Sequence, residues 1–348
     1  MRPNNRLASA LLAATALASC GGGDGGGGSA PPTAVAPTPT PSPTPAPSPM
    51  PTPTPSSFPV TADLQFSTRF SRLSYTGTAG ENPLTGLESD GAFPGGLFTA
   101  SPDLTNGTLR IEDNYLTRTT FAASQRQGED TRSAVIYTYA GDDGARLRIL
   151  NNSVRPVDSG EIPFVLRYTS FAAWTRQNSA GATVTTWQGF GFPTPSVALP
   201  TGTRRYAIGA VGDFILAFRD GTGIPYEVSG DGTLVVDFDR KTVTYDAVRF
   251  YFRPFPPRLG DLATQVSGSG TVGADGTVFG TFELPPGADM SGNPTDAYAA
   301  VRFSGSLYGP AAEEIGLTFT FVDPSPMRDP ARRGYGAGAM VGRPLPAR

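Results

Sequence analysis

From about residue 58 onward the chain alternates apolar and polar positions with a period of two. The clearest run is Leu317-Thr318-Phe319-Thr320-Phe321, in which Leu317, Phe319 and Phe321 point one way and the threonines the other. Similar short runs rich in Val, Phe, Tyr, Thr and Ile predict strands near 62–76, 107–113, 117–123, 133–140 and 145–151. A second series is predicted near 164–175, 183–191, 203–219, 224–238, 241–252, 264–273, 276–283, 297–306 and 315–322. Asp-Gly at 90–91, 143–144, 220–221, 231–232 and 275–276, and Asn106-Gly107, separate or interrupt the runs and accept the positive φ angles of tight hairpins. No window of about 12 residues keeps a helical period without Gly or Pro. The pattern predicts an all-β, antiparallel fold. A closed barrel of about eight strands is expected in the second half, because that size is filled by its own side chains and leaves no edge.

The first 57 residues read differently. Arg2 and Arg6 precede an apolar stretch, Leu7 to Ala18, which ends in Leu17-Ala18-Ser19-Cys20. A positive start, a short apolar core and a small-residue end predict a secretory signal peptide over 1–19, too short to span a bilayer. Leu-Ala-Ser-Cys resembles the lipobox of bacterial lipoproteins, which implies lipid attachment, palmitate included, at Cys20. Several acyl chains anchor a protein stably where one does not. Gly21 is not an acidic retention residue, so the resemblance favours the outer membrane of a Gram-negative cell. Residues 20–57 are then a linker. Glycine fills most of 21–29, and Pro alternates with Thr, Ser and Ala over 31–57, a composition that extends as polyproline II over on the order of 80 Å.

Composition narrows the chemistry. Net charge is −3, which gives no reason to expect a nucleic-acid partner. The chain has no histidine, and Cys20 is its single cysteine. Ser-His-Asp and Cys-His constellations and imidazole metal sites are therefore excluded, and no cofactor or metal is expected. Lys241 is the one lysine and falls in a turn. Asp237 and Asp239, or the adjacent Glu313 and Glu314, are the carboxylates nearest to a glycosidase-like pair, but their spacing reads as turn and surface acids. Gly268-Ser269-Gly270-Thr271-Val272-Gly273 matches the dinucleotide pattern G-x-G-x-x-G, yet Asp275-Gly276 and another strand follow where a helix is required, so a hairpin is expected.

One segment carries a family resemblance. Residues 303–321 run strand, Gly309-Pro310 turn, short acidic loop, closing strand. Tyr308, Gly309, Pro310, Ala312, Glu314 and Gly316 match the closing hairpin of the transferrin-binding protein B barrel, while Leu307 and Leu317 depart from it. Tyr168 to Trp174 resembles that family's opening strand, with Ala172 where glycine is common. The run Phe192-Pro193-Thr194-Pro195, Leu199-Pro200-Thr201-Gly202-Thr203, Tyr206 and Gly209 resembles a further motif, and Asp237-Phe238 a short strand element. The resemblance implies a β handle domain over 58–163, a barrel domain over 164–323 and a flexible tail over 324–348. Family members are surface lipoproteins that bind partners such as transferrin, haemoglobin and complement regulators, largely through variable loops, on barrels that serve as scaffolds. The shared residues, Tyr308, Gly309, Pro310, Glu314 and Gly316, are thus expected to be fold determinants.

No contact residue carries over from the resemblance. The chain itself offers Arg249 to Arg258, which mixes aromatics with arginines, the types enriched at interface hot spots. Phe250 and Phe252 are expected inside the barrel, and Phe255 and Arg258 are the candidate partner contacts. The expected function is a surface-anchored, non-enzymatic lipoprotein that binds a protein or solute, as an accessory to iron or haem acquisition, with an outer-membrane transporter or export machinery as a further partner. The alternative is a structural or assembly lipoprotein facing the periplasm.

Overall fold

The computed structural model describes residues 57–58, 64–77, 84–100, 108–113, 117–130, 133–150, 162, 164–218, 220–254, 262–283, 300–322 and 332–346. They form seventeen strands and two short 3₁₀ turns. Nine strands make one antiparallel sheet: β1 (Leu64–Thr76), β2 (Thr85–Ala100), β3 (Leu109–Glu112), β4 (Arg118–Phe121), β5 (Arg126–Asp130), β6 (Ser133–Ala140), β7 (Arg146–Leu150), β8 (Thr169–Gln177) and β9 (Thr183–Gly191). The order across the sheet is β4-β3-β2-β1-β9-β8-β7-β6-β5. The two edge strands, β4 and β5, are joined by residues 122–125 alone, so the sheet must curl until its edges nearly meet.

The remaining strands close an up-and-down barrel: β10 (Thr203–Phe218), β11 (Gly223–Asp237), β12 (Thr242–Pro254), β13 (Leu262–Val272), β14 (Thr277–Glu283), β15 (Ala300–Tyr308), β16 (Glu314–Val322) and β17 (Arg332–Pro344). Alternation does what the sequence suggests. Phe214, Phe250, Phe252, Phe282, Phe303, Phe319 and Phe321 meet in the interior, with Phe250 and Phe321 rings 5.2 Å apart and Phe319 and Phe321 also 5.2 Å apart. Each ring so buried contributes about 1.5–3 kcal/mol. Phe250 and Phe252 lie inside, as expected. The glycine-rich segment 268–273 runs through β13 into a hairpin with β14, with no helix after it.

Two domain boundaries need correction. The strands expected to open the barrel, at 164–191, belong to the curled sheet instead: β9 pairs with β1, and β8 pairs with β7 and β9. The barrel therefore begins at Thr203, not at 164. The expected flexible tail, 324–348, supplies β17, which hydrogen-bonds to both β10 and β16 and closes the barrel. Its Gly-rich composition has a packing reason. A Cβ on Gly338 would lie 2.3 Å from the Phe319 ring, so this position is kept empty for a neighbouring strand's aromatic side chain. The alternate residues Ala337, Ala339 and Val341 face outward and pack against Phe171, Trp187 and Leu73 of the curled sheet. Strands β2 and β5 also form where no run was predicted.

Candidate partner-binding end

The ladders give the molecule two unlike ends. At one end the barrel strands are joined by the short turns 238–241, 273–276 and 309–313. At the other they are joined by the segments 219–222, 255–261, 284–299 and 323–331, three of them longer than any turn at the first end and two of them far longer. The curled sheet is aligned with the barrel. Thr169 of β8 and Gly191 of β9 lie near Tyr308 and Glu314, at the short-turn end, while Leu84, just before β2, donates its N–H to the Gly221 carbonyl at the other.

The short-turn end is built around the motif that carried the resemblance. Gly309 has φ +86°, a conformation costly for any other residue, and a Cβ there would come within 2.7 Å of the Tyr168 ring. Pro310 follows in the same turn. Glu314 opens β16 with its carboxylate aimed at the curled sheet. Oε1 accepts the Arg167 N–H at 2.6 Å, and Oε2 accepts those of Tyr168 and Thr169, both at 2.8 Å. Burial raises the Glu314 pKa, and the adjacent Glu313 adds to the rise, while the three backbone N–H groups oppose it. Gly316 faces Thr169, whose Oγ1 would be 2.4 Å from an added Cβ. Tyr308 is buried beneath, and burial pushes its hydroxyl up to about 12. Thr194 bonds to Leu307, and Pro193 bridges Tyr308. Tyr308, Gly309, Glu314 and Gly316 thus meet the curled sheet and its flanking segments at this end of the barrel.

The chain enters the fold at this same end. Phe58 donates its N–H to the Arg167 carbonyl at 2.6 Å, and its ring packs on Phe66, Phe190 and Phe192. A cleft of about 820 Å³ beside it runs between Phe164–Tyr168 and Glu313, Arg343 and Leu345. The Arg343 guanidinium lies 5.7 Å from the centre of the Phe164 ring.

Cys20, Phe255 and Arg258 lie outside the described residues. The position of the last two in the chain is nonetheless informative: they follow directly on β12, whose Pro254 pairs with Tyr226 at the long-connection end. The acids considered for chemistry serve turns. Asp237 Oδ1 accepts the Arg240 N–H and Asp239 Oδ1 that of Gly202. Sequence reasoning did not reach Asp213, which takes Arg148 at 2.6 Å and the Trp187 indole N–H at 3.1 Å between the two sheets. The available signal was a lone charge within the apolar run Ile208 to Phe218.

The architecture is a closed, side-chain-filled barrel flanked by a curled sheet. It is similar to that of transferrin-binding protein B from Haemophilus parasuis, in a variant crystal structure, with 9% identity over 83% of this chain and 78% of that one and a TM-score of 0.38. It is also similar to the isotype 1 protein of that name from serogroup B Neisseria meningitidis, with 14% identity, 84% and 77% coverage and a TM-score of 0.31. A structure described as a surface lipoprotein matches with 11% identity, 79% and 98% coverage and a TM-score of 0.32. No family model matches the chain, and neither does any curated protein.

Proposed function

We propose that this chain is a lipid-anchored binding protein on the surface of a Gram-negative outer membrane, which holds a protein or solute partner at the long-connection end of its barrel. The observation that carries the reading is the polarity of the fold. The expected lipobox and linker precede Phe58 in the chain, and Phe58 sits on the short-turn end. The long connections of the barrel, 255–261, 284–299 and 323–331, leave the opposite end. The barrel core is packed with aromatic rings and so offers a rigid frame for loops. Phe255 and Arg258 belong to one of those connections and are the contacts proposed for the partner. A role in iron or haem acquisition would be one instance of this function.

Two measurements test the proposal. Protease applied to intact cells should remove the body, because an exposed Pro/Thr-rich linker is readily cut. Protection until the outer membrane is opened would instead support an assembly lipoprotein facing the periplasm. On the purified chain, Phe255→Ala combined with Arg258→Ala should weaken capture of whatever partner the wild type retains, with no change in melting temperature. A matched fall in stability would place both residues in the core.

A further inference from the structure

In the cleft beside Phe58, apolar exposure and unpaired charge coincide. Among the described residues four large apolar side chains are exposed, and two of them, Val165 and Leu345, line this one cleft of about 820 Å³. Single exposed apolar residues are ordinary, but two in one concavity mark a binding surface. Phe164 and Tyr168 add aromatic lining, and Pro344 and Pro346 flank Leu345. Ala207 of β10 pairs with Arg343 of β17, and its small side chain leaves room beside the arginine. The volume lies within the range of small-molecule sites, which are apolar concavities with a few placed polar groups.

Two cations line the same cleft without a carboxylate. Elsewhere Arg72, Arg148 and Arg176 are paired with Asp90, Asp213 and Asp113. Arg167 and Arg343 have no ion pair among the described residues. The Arg343 guanidinium lies 5.7 Å from the centre of the Phe164 ring, a contact that leaves the N–H donors at its edge available. Arg167 is held by its backbone, whose N–H goes to Glu314 and whose carbonyl accepts that of Phe58, while its side chain is exposed. The two acids of the lining are turned away from these arginines. Glu314 gives both oxygens to three backbone N–H groups. Glu313 folds back over its own turn, where Oε2 accepts the Ala311 N–H and lies 2.5 Å from the place a Cβ on Gly309 would take.

The lining thus calls for two properties in one ligand. Val165, Leu345 and Phe164 favour an apolar body, and a guanidinium fork favours a carboxylate or phosphate. We infer that this cleft binds a single-chain amphiphile with an anionic head, such as a long-chain fatty acid, with its head at Arg343 and its chain against Val165 and Leu345. Arg167 adds to the positive field around the head. A bilayer surface fits less well, because a plane meets protruding groups, whereas a cleft between two segments admits a single chain. The site lies at the short-turn end, shares no residue with the loop contacts proposed above, and stands or falls apart from them.

The test titrates the full chain, carrying Cys20→Ser to remove the expected lipid attachment, by calorimetry with decanoate and decyl phosphate below their micelle concentrations. Decanol supplies the chain without the charge, and acetate the charge without the chain. The expected result is one saturable site for decanoate, decyl phosphate or both, with decanol and acetate at least tenfold weaker. Arg343→Gln and Val165→Asp change exposed side chains, so each should weaken binding at least tenfold at an unchanged melting temperature. Should Val165→Asp lower the melting temperature, Leu345→Asp replaces it. No saturable site for either anionic amphiphile would overturn the inference and assign the cleft to ordered water. Equal affinity for decanol would overturn it in favour of a purely apolar groove, and undiminished affinity in both variants would move the amphiphile elsewhere on the chain. Flotation with phosphatidylglycerol vesicles, without binding of the free amphiphiles, would overturn it in favour of a membrane contact.

Discussion

At the scale of single residues, Glu314 has the most to explain, because a buried carboxylate is tolerated only when it is well bonded. Its partners are three consecutive backbone N–H groups from the segment that leads into β8. Glu314→Ala leaves all three without an acceptor and is expected to cost about 2–4 kcal/mol, read from urea unfolding. The pH dependence has a definite sign. Burial raises the pKa above its ordinary value of 4.5, so the folded protein retains a proton that the unfolded chain has released. The stabilisation is full below that ordinary value and is lost as pH rises through the raised one. Glu314→Gln keeps an acceptor but does not titrate. Wild-type stability should therefore fall relative to Glu314→Gln as pH rises through this window, and parallel stability curves would refute the burial effect. Tyr308 gives the alkaline counterpart. With its hydroxyl pushed up to about 12 by burial, its neutral form stabilises the fold until pH passes well above 10, and its absorbance change should coincide with unfolding.

Among the elements, β17 shows what a sequence can and cannot disclose. Strands such as β16 were legible because large apolar and small polar residues alternate, and the hairpins because Asp-Gly dipeptides mark turns. Arg333-Gly334-Tyr335-Gly336-Ala337-Gly338-Ala339 has no such contrast. Its inward positions are glycines because Phe319 and Phe321 occupy the space, a reason that lies in another strand and is invisible locally. The same holds for β8 and β9. Phe171 and Trp187 face the barrel while Trp174 and Phe190 face the inside of the curled sheet, so both faces are apolar and local pattern does not say which sheet they join. The fold motif at 308–316 was legible, whereas the meeting of Asp213 with Arg148 and Trp187 was not, since it joins strands distant in sequence. The packing account of β17 predicts that Gly338→Val, which drives a side chain against the Phe319 ring, destabilises by about 1–3 kcal/mol. Amide exchange should accelerate first along β10 and β16, its two partners, and a uniform change across the curled sheet would show the account to be wrong.

For the whole molecule, the question is whether barrel and handle are separate folding units. Their boundary is not the thin, polar contact of loosely linked domains. Leu73, Phe171, Ala173 and Trp187 of the curled sheet share one apolar cluster with Val211, Ile215, Ala337, Ala339 and Val341 of the barrel. Polar contacts pin it along its length: Ser71 to the Gly338 carbonyl, Ser89 to that of Phe321, Arg69 to Ser304, and Glu314 at the end. At the centre, Asp213 answers both Arg148 and the Trp187 indole, in the middle of a strand whose two faces are buried. Burying that much apolar surface makes each half the solvent shield of the other, so neither should persist alone. The expectation is a single unfolding transition for residues 58–346, coincident by Trp187 fluorescence in a Trp174→Phe background, which reports on the boundary, and by far-ultraviolet dichroism, which reports on all strands. Asp213→Ala removes the acceptor of two donors at once and should lower that transition by about 2–4 kcal/mol without splitting it. If the variant instead showed two transitions, with fluorescence moving before dichroism, handle and barrel would be independently stable, and the contacts along their boundary would serve to orient the two halves more than to hold them together.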